Sequence, residues 1–395
     1  MDTALFRNSP SGRLVRAVDG YWAFVPNPLP PKLDWSDALV SLTSKADLAL
    51  GTLSGLGETL PNPHLLIYPF IRKEAVLSSR IEGTQSSLSD LLLFEATKAE
   101  KQRDVREVQN YVHAMEYGMK RLEDLPLSLR FIRELHAILM EGVRGERASP
   151  GEFRQSQNWI GPLGCTLNDA IFVPPPVAEM KEALDQLEKL LHADTQLPPL
   201  VELALIHYQF ETIHPFLDGN GRIGRLLITL FLCQRSILNK PLLYLSAFFE
   251  RHRQEYYDHL LEVSQRGAWR QWLEFFLQAV IKQSDDAVWR ARRLLDLHRT
   301  YYQTILGKRL PPTAVELVEL IFVRPVLNTR VVQGDLKVTF PAAQKAIKAL
   351  IEEGILAEIT GGKRNKAYAA KEILEILEEE TLSQTERDRG SKKKQ

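Results

Sequence analysis

Two cysteines, Cys165 and Cys233, are all that this 395-residue chain holds. They lie far apart in sequence, which excludes a disulfide framework and fits a reducing compartment. Long apolar runs are missing too. The longest strongly apolar stretch, Leu226 to Cys233, is far too short to span a bilayer. The N-terminal segment has no apolar core of signal-peptide length. Charge of one sign is also lacking, because 50 basic residues balance 50 acidic ones. No global field therefore draws the chain to nucleic acid or membrane, and any such preference must come from a local patch. These absences leave a cytoplasmic, soluble globular protein without a membrane partner as the expectation. Its length suffices for two or three domains.

What is present is mostly helical spacing. Residues 1–34 are rich in Pro and Gly and read as an extended arm. Apolar periodicity predicts helices from Trp35 to about Leu56 and from the Pro61–Pro63 turn toward Glu82, with Gly83 as a stop. Further helices are predicted over 104–122, 128–143, 177–193, 199–212, 220–236 and 246–306. Residues 152–176 differ. Two β-prone pieces, Trp159-Ile160 and Ile171–Val173, flank a loop and end at Pro174–Pro176, which reads as a hairpin flap. After Leu310-Pro311-Pro312, helices over 313–324 and 339–353, with Thr339 as N-cap, precede a basic turn at Gly361–Lys366. That is the pattern of a winged helix-turn-helix. The expected division is an arm and helical region over 1–103, a core over 104–306, a winged helix over 307–380 and a disordered tail over 381–395.

The chemistry concentrates in residues 214–225, His214-Pro-Phe-Leu-Asp218-Gly-Asn-Gly-Arg222-Ile-Gly-Arg225. A helix ending near Thr212 leads through Gly219-Asn220-Gly221 into the next helix. Glycines there let the backbone approach a ligand, and free amides at a helix start favour an anion. Arg222 and Arg225 add positive charge three residues apart, which suits a polyphosphate. Asp218 can hold Mg²⁺ against phosphate oxygens. His214 stands where an imidazole can take a proton from an incoming hydroxyl. Phe216 anchors the loop in the core. A zinc site is not indicated: His207 and His214 are seven apart with no cysteine pair nearby, and His207 reads as a hydrogen-bonded core histidine.

The string resembles the Fic (filamentation induced by cAMP) signature HxFx(D/E)GNGRxxR at every specified position. The likeness extends over about 35–370 and is greatest to bacterial members with an N-terminal inhibitory helix and a C-terminal winged helix. It implies a mainly α fold, a helical bundle with a β-hairpin flap, and a protein adenylyltransferase activity. ATP would be the co-substrate and Mg²⁺ the metal. His214 would deprotonate a Ser, Thr or Tyr hydroxyl of a target protein, or of the enzyme itself. Asp218 would ligate Mg²⁺. Gly219, Asn220, Gly221, Arg222, Ile223, Gly224 and Arg225 would form the anion hole. Ile160 and Gly161 would align the target as an added strand, and Tyr256 would border the adenine.

Ser78 and Glu82 are four apart and share a helix face. The segment Ser78–Gly83 fits the family's inhibitory motif (S/T)xxxE(G/N), which implies that Glu82 pairs with Arg225 in place of the γ-phosphate. Two alternatives accompany this reading. One is a DNA-binding regulator acting through the basic turn of the winged helix. The other is a related transfer from a different nucleotide donor. The sequence does not name the target, and relatives include both monomers and dimers.

Overall fold

A computed structural model of the chain describes residues 1–59, 62–97, 103–143, 149–162, 164–361 and 366–379. The disordered tail expected over 381–395 and the tip of the basic turn, 362–365, lie outside them. Two compact units emerge. The first comprises Met1–Pro61, Glu74–Ser86 and Lys101–Asp285, and the second comprises Asn62–Lys73, Ser87–Glu100 and Asp286–Gln395. The arm and the Ser78–Glu82 segment fall in the first unit, together with the helices of 104–285.

The first unit is mainly helical. α1 (Asp37–Thr59), α4 (Arg103–Arg121), α5 (Leu129–Leu139), α6 (Val177–His192), α7 (Pro199–Ile213), α8 (Asn220–Gln234), α9 (Ser246–Arg251) and α10 (Arg253–Arg266) surround one core. The second half of α2 (His64–Ile81) and the first part of α11 (Trp269–Gly307) complete it. α7 and α8 pack together at the centre. From Leu200 to Phe210 every residue is buried, and from Arg222 to Leu232 likewise. A helix apolar on all sides must be enclosed by others, so the loop joining these two is held by rigid elements at both ends.

Three expectations are corrected. The N-terminal arm folds into a hairpin of β1 (Gly12–Arg16) and β2 (Trp22–Pro26) in the register Leu14↔Phe24. Phe24 donates its N–H to the Val173 carbonyl at 2.9 Å, and Phe6, Phe24 and Phe172 form an aromatic cluster. The two strands pair locally with each other, and residues about 150 positions away, Phe172 and Val173, pack and bond against β2. The single helix over 246–306 is three, broken at His252 and at Gly267, whose φ of 68° closes α10. The flap is one antiparallel bridge, Ile160↔Phe172, with no ladder, because a turn over Leu167–Asp169 and three prolines crowd its arms.

In the second unit, α12 (Pro312–Val323), β3 (Val326–Asn328), α13 (Thr329–Asp335), α14 (Phe340–Glu352), β4 (Ala357–Glu358), β5 (Ala367–Ala369) and α15 (Lys371–Glu378) follow one another. α3 (Leu88–Thr97), absent from the sequence reading, packs against β3. The sheet order is β3-β5-β4, all antiparallel. Thr339 caps α14 as expected, its hydroxyl accepting from the Ala342 N–H. Among the described residues no helix is long and apolar enough to cross a membrane.

Candidate active site

α7 stops at Ile213 because His214 adopts the left-handed region, φ 50° and ψ 60°, and Pro215 follows. Such a conformation costs a non-glycine residue on the order of 1 kcal/mol and persists only where its surroundings over-determine it. Here they do. The His214 carbonyl accepts from Arg154 Nε at 3.0 Å and from Asn158 Nδ2 at 3.0 Å. Asn158 Nδ2 also reaches the Phe216 carbonyl at 2.8 Å. Phe216, fully buried, stacks on the His136 ring with centroids 3.7 Å apart.

The His214 imidazole is half-buried, and its Nδ1 lies 3.1 Å from the Glu211 carbonyl. A carbonyl only accepts, so Nδ1 carries the proton and Nε2 keeps its lone pair. Burial, reinforced by the Arg154 charge, lowers the imidazole to about 4 against the opposing pull of Glu82 and Asp218. At neutral pH it is an uncharged base.

Beyond the loop, Gly219 opens α8 with a φ of 79°. The amides of Asn220, Gly221 and Arg222 make no hydrogen bond among the described residues, whereas Ile223 N–H already bonds the Gly219 carbonyl. The free donors therefore number three, a narrower set than the 219–225 run expected. Asn220 is 2% exposed and spends both side-chain polar atoms on Phe216, at 2.8 Å each. Its side chain staples the loop and leaves only its amide for an anion. Ile223 is core, and a Cβ on Gly224 would lie 2.2 Å from Glu211 Oε1. Both positions pack closely, and the Ile223 amide is already spent on the Gly219 carbonyl.

Two arginines complete the cradle. Arg222 faces Glu107 at 3.3 Å and Asp218 at 3.6 Å, and its Nε has no partner among the described residues. Arg225 is 2% exposed and donates to Ser78 Oγ at 2.8 Å, the Ser78 carbonyl at 2.9 Å and Glu82 Oε1 at 2.7 Å. The structure thus brings Ser78, Glu82 and Arg225 together. A Cβ on Gly221 would sit 2.2 Å from Glu82 Oε1, so this carboxylate lies against the first turn of α8, where the helix dipole favours an anion. Burial would raise Glu82, but the pull of Arg225, with Arg222 and His214, outweighs it and keeps the carboxyl below its ordinary value. α2 is held in register one turn and two turns earlier. Buried Glu74 accepts from Ser246 Oγ at 2.5 Å and from Tyr111 at 3.2 Å.

Asp218 is exposed; its Oδ1 takes the Gly219 amide at 2.6 Å. Among the described residues no group of three His, Cys, Asp or Glu could hold a metal. One open carboxylate beside free amides fits Mg²⁺ that arrives with phosphate oxygens. Tyr256 is corrected: it is 1% exposed, stacks on Phe249 at 4.5 Å and shares a hydrogen bond with His207 at 2.8 Å, so no face is open to a base. His207, 2% exposed and also bonded to the Gly224 carbonyl, is the satisfied core histidine expected. Ile160 and Gly161 lie on the flap, where Ile160 is 37% exposed and a Cβ on Gly161 would meet Cys165 Sγ.

Sequence reasoning missed four contributors. Arg154 and Asn158 hold the loop, and His136 donates from Nε2 to the Asp218 carbonyl while Nδ1 accepts from Gly151 N–H. Glu211 is the fourth. Burial raises its carboxyl to about 8, and its Oε1 lacks a hydrogen-bond partner among the described residues. Because the folded value lies above the ordinary 4.5, the stability tied to its proton is full below pH 4.5 and is lost as pH rises toward 8. Glu211→Gln, which carries no such proton, is expected to melt several degrees higher than wild type at pH 7.5 and equally at pH 4. Melting curves at the two pH values check this. A variant less stable at pH 7.5 would contradict it.

The structure is thus a mostly helical domain with free amides at the start of α8, an uncharged imidazole at the end of α7 and a carboxylate paired with a buried arginine. Residues 126–232 match the Fic/DOC family and residues 40–120 the Fic/DOC family N-terminal region. The chain thus carries a Fic/DOC family domain preceded by the family's N-terminal region. It is similar to the protein adenylyltransferase Fic of Drosophila erecta, 25% identical over 216 residues, which cover 53% of this chain and 40% of that protein. The Drosophila virilis counterpart is 26% identical over 252 residues, covering 61% and 48%. The chain thus spans less than half the length of these curated relatives. Among solved structures, a Fic family protein from Desulfovibrio desulfuricans matches 87% of this chain and 98% of its own, with a TM-score of 0.55 at 20% identity. A Fic-1 variant from C. elegans matches 67% and 74%, with a TM-score of 0.50 at 19% identity. These likenesses support the fold.

Proposed function

We propose that the chain is a protein adenylyltransferase that moves AMP from ATP to a hydroxyl side chain of a protein, and that Glu82 restrains it. The observation that carries this reading is the continuous turn from His214, whose Nδ1 faces the Glu211 carbonyl, through the free amides of 220–222 to Arg225, with the Glu82 carboxylate held on Arg225 at 2.7 Å and drawn also by Arg222 and His214. His214 takes the hydroxyl proton. The oxygen then attacks the α-phosphorus, and the bond to the β-phosphate oxygen breaks to release pyrophosphate. Arg222 and Arg225 bind the β- and γ-phosphates, and Asp218 holds Mg²⁺, which neutralises phosphate charge when bound. Catalysis then rests on positioning and charge stabilisation. The adenylyltransferase names of the Drosophila relatives support the choice of reaction. The test is mass spectrometry of the Glu82→Gly protein incubated with ATP and Mg²⁺. Self-modification by AMP is expected, and none when His214→Ala is added. Absence of AMP on the chain and on candidate targets would contradict the assignment.

For the second unit the order α12, β3, α13, α14, β4, β5 supports a winged helix. The outer side of α14 exposes Gln344, Lys345 and Lys348, which keeps DNA contact as an accessory proposal. A salt-dependent mobility shift by the full chain tests it.

A further inference from the structure

Arg154 is the most unusual charge in the first unit. It is 2% exposed, and among the described residues it has no carboxylate partner. Burial lowers its guanidinium only to about 10, so it remains a cation at neutral pH. A buried charge without a counter-ion is costly unless its donors are satisfied, and here main-chain oxygens satisfy them. Nε donates to the His214 carbonyl at 3.0 Å, Nη1 to the Ser156 carbonyl at 3.2 Å and Nη2 to the Pro175 carbonyl at 2.5 Å. Its own amide bonds the Pro215 carbonyl at 2.9 Å. One planar fork therefore collects both feet of the flap, residues 156 and 175, and the strained residue that carries the base.

Asn158 repeats the link from the flap's first arm, joining the His214 and Phe216 carbonyls. Among the described residues the flap backbone pairs across at one bridge, Gln157 Nε2 also donates to the Pro174 carbonyl, and Arg154 and Asn158 are the side chains that join the flap to the His214 loop. The exposed Trp159, Ile160 and Ile171 stand on the flap beyond that attachment.

We infer that Arg154 is a positioning residue that sets the flap and the His214 imidazole in one fixed relation. A segment lying on the flap is thereby delivered to Nε2 and not merely retained near it. Lysine keeps the charge but is a point donor and lacks the rigid fork needed to span three carbonyls. Displacement of a reacting group by about 1 Å costs on the order of a hundredfold in rate.

The test compares the full chain with its Arg154→Lys and Asn158→Ala variants, each in the Glu82→Gly background, by hydrogen exchange and by AMP transfer. Exchange in peptides covering 156–175 and 214–216 is expected to rise together, about tenfold, in both variants. Peptides of α6 and α10 are expected to be unchanged. Transfer is expected to fall ten- to a hundredfold in kcat with KM for ATP retained. Arg154→Lys with Asn158→Ala is expected to lose less than the product of the single losses, because the two share an acceptor. Exchange that rises in only one of the two segments, or equally throughout α6 and α10, overturns the inference, as does full transfer activity in both variants. Only the transfer arm rests on the reaction proposed above. If the Glu82→Gly parent transfers no AMP, that reading fails while the exchange arm still decides this one.

Discussion

Glu82→Gly is expected to raise the initial rate of AMP incorporation at least tenfold, about 1.4 kcal/mol or more off the barrier. Arg225 is buried and gives Nη2 to Glu82 Oε1 at 2.7 Å, while its Nε and Nη2 also serve Ser78. The Ser78 contacts are neutral; only Glu82 brings a negative charge. A γ-phosphate needs the same guanidinium, and two anions competing for one cation disfavour the pose required for in-line attack. The carboxylate also covers the Gly221 face of α8, so its removal opens the helix start as well. Two controls sharpen the expectation. Glu82→Gln keeps an oxygen acceptor without the charge and should fall between wild type and glycine. Ser78→Ala removes an acceptor but no anion and should change the rate less than Glu82→Gly. Rates measured with labelled ATP decide this, and equal rates for wild type and Glu82→Gly would contradict the restraint.

His214→Ala in the Glu82→Gly background is expected to lower transfer on the order of a thousandfold, the scale of a lost general base. The Kd for ATP should stay within a few-fold, since the cradle is built from the amides of 220–222 and two arginines. Nothing else at the loop replaces the base. His136 is fully buried with both ring nitrogens engaged, and burial lowers it to about 4. Asp218 spends one oxygen on the Gly219 amide. Single-turnover rates and ATP binding on the same preparation separate the two effects. A parallel loss of ATP affinity would place the imidazole in binding and not in proton transfer.

The parts of this site that sequence made legible are those that are local. His214 to Arg225 is one continuous turn from helix to helix, so order alone places base, carboxylate and cradle. Ser78 and Glu82 share a face by helical spacing. The parts that stayed hidden act over distance on main-chain atoms. Arg154 and Asn158 reach carbonyls 56 to 60 positions away, and His136 reaches one 82 away; a carbonyl offers no residue identity to pair with. Tyr256 shows the converse, since an aromatic side chain near a site has the same one-letter appearance whether it faces a ligand or Phe249. Asn220 could be placed but not oriented, because an amide side chain serves a loop as readily as a phosphate. The β1–β2 hairpin pairs within residues 12–26, but the surface it packs on, Phe172 and Val173, lies outside any window over the first 34 residues.

The central claim is that the cradle at the start of α8 presents the α-phosphate of ATP to a hydroxyl activated by His214. Parallel incubations of the Glu82→Gly protein with α-labelled and γ-labelled ATP in Mg²⁺ test it most directly. Retention of the α label on protein, with loss of the γ label into pyrophosphate, is the result expected. Retention of the γ label, or of neither label on the chain or any added protein, would contradict the account.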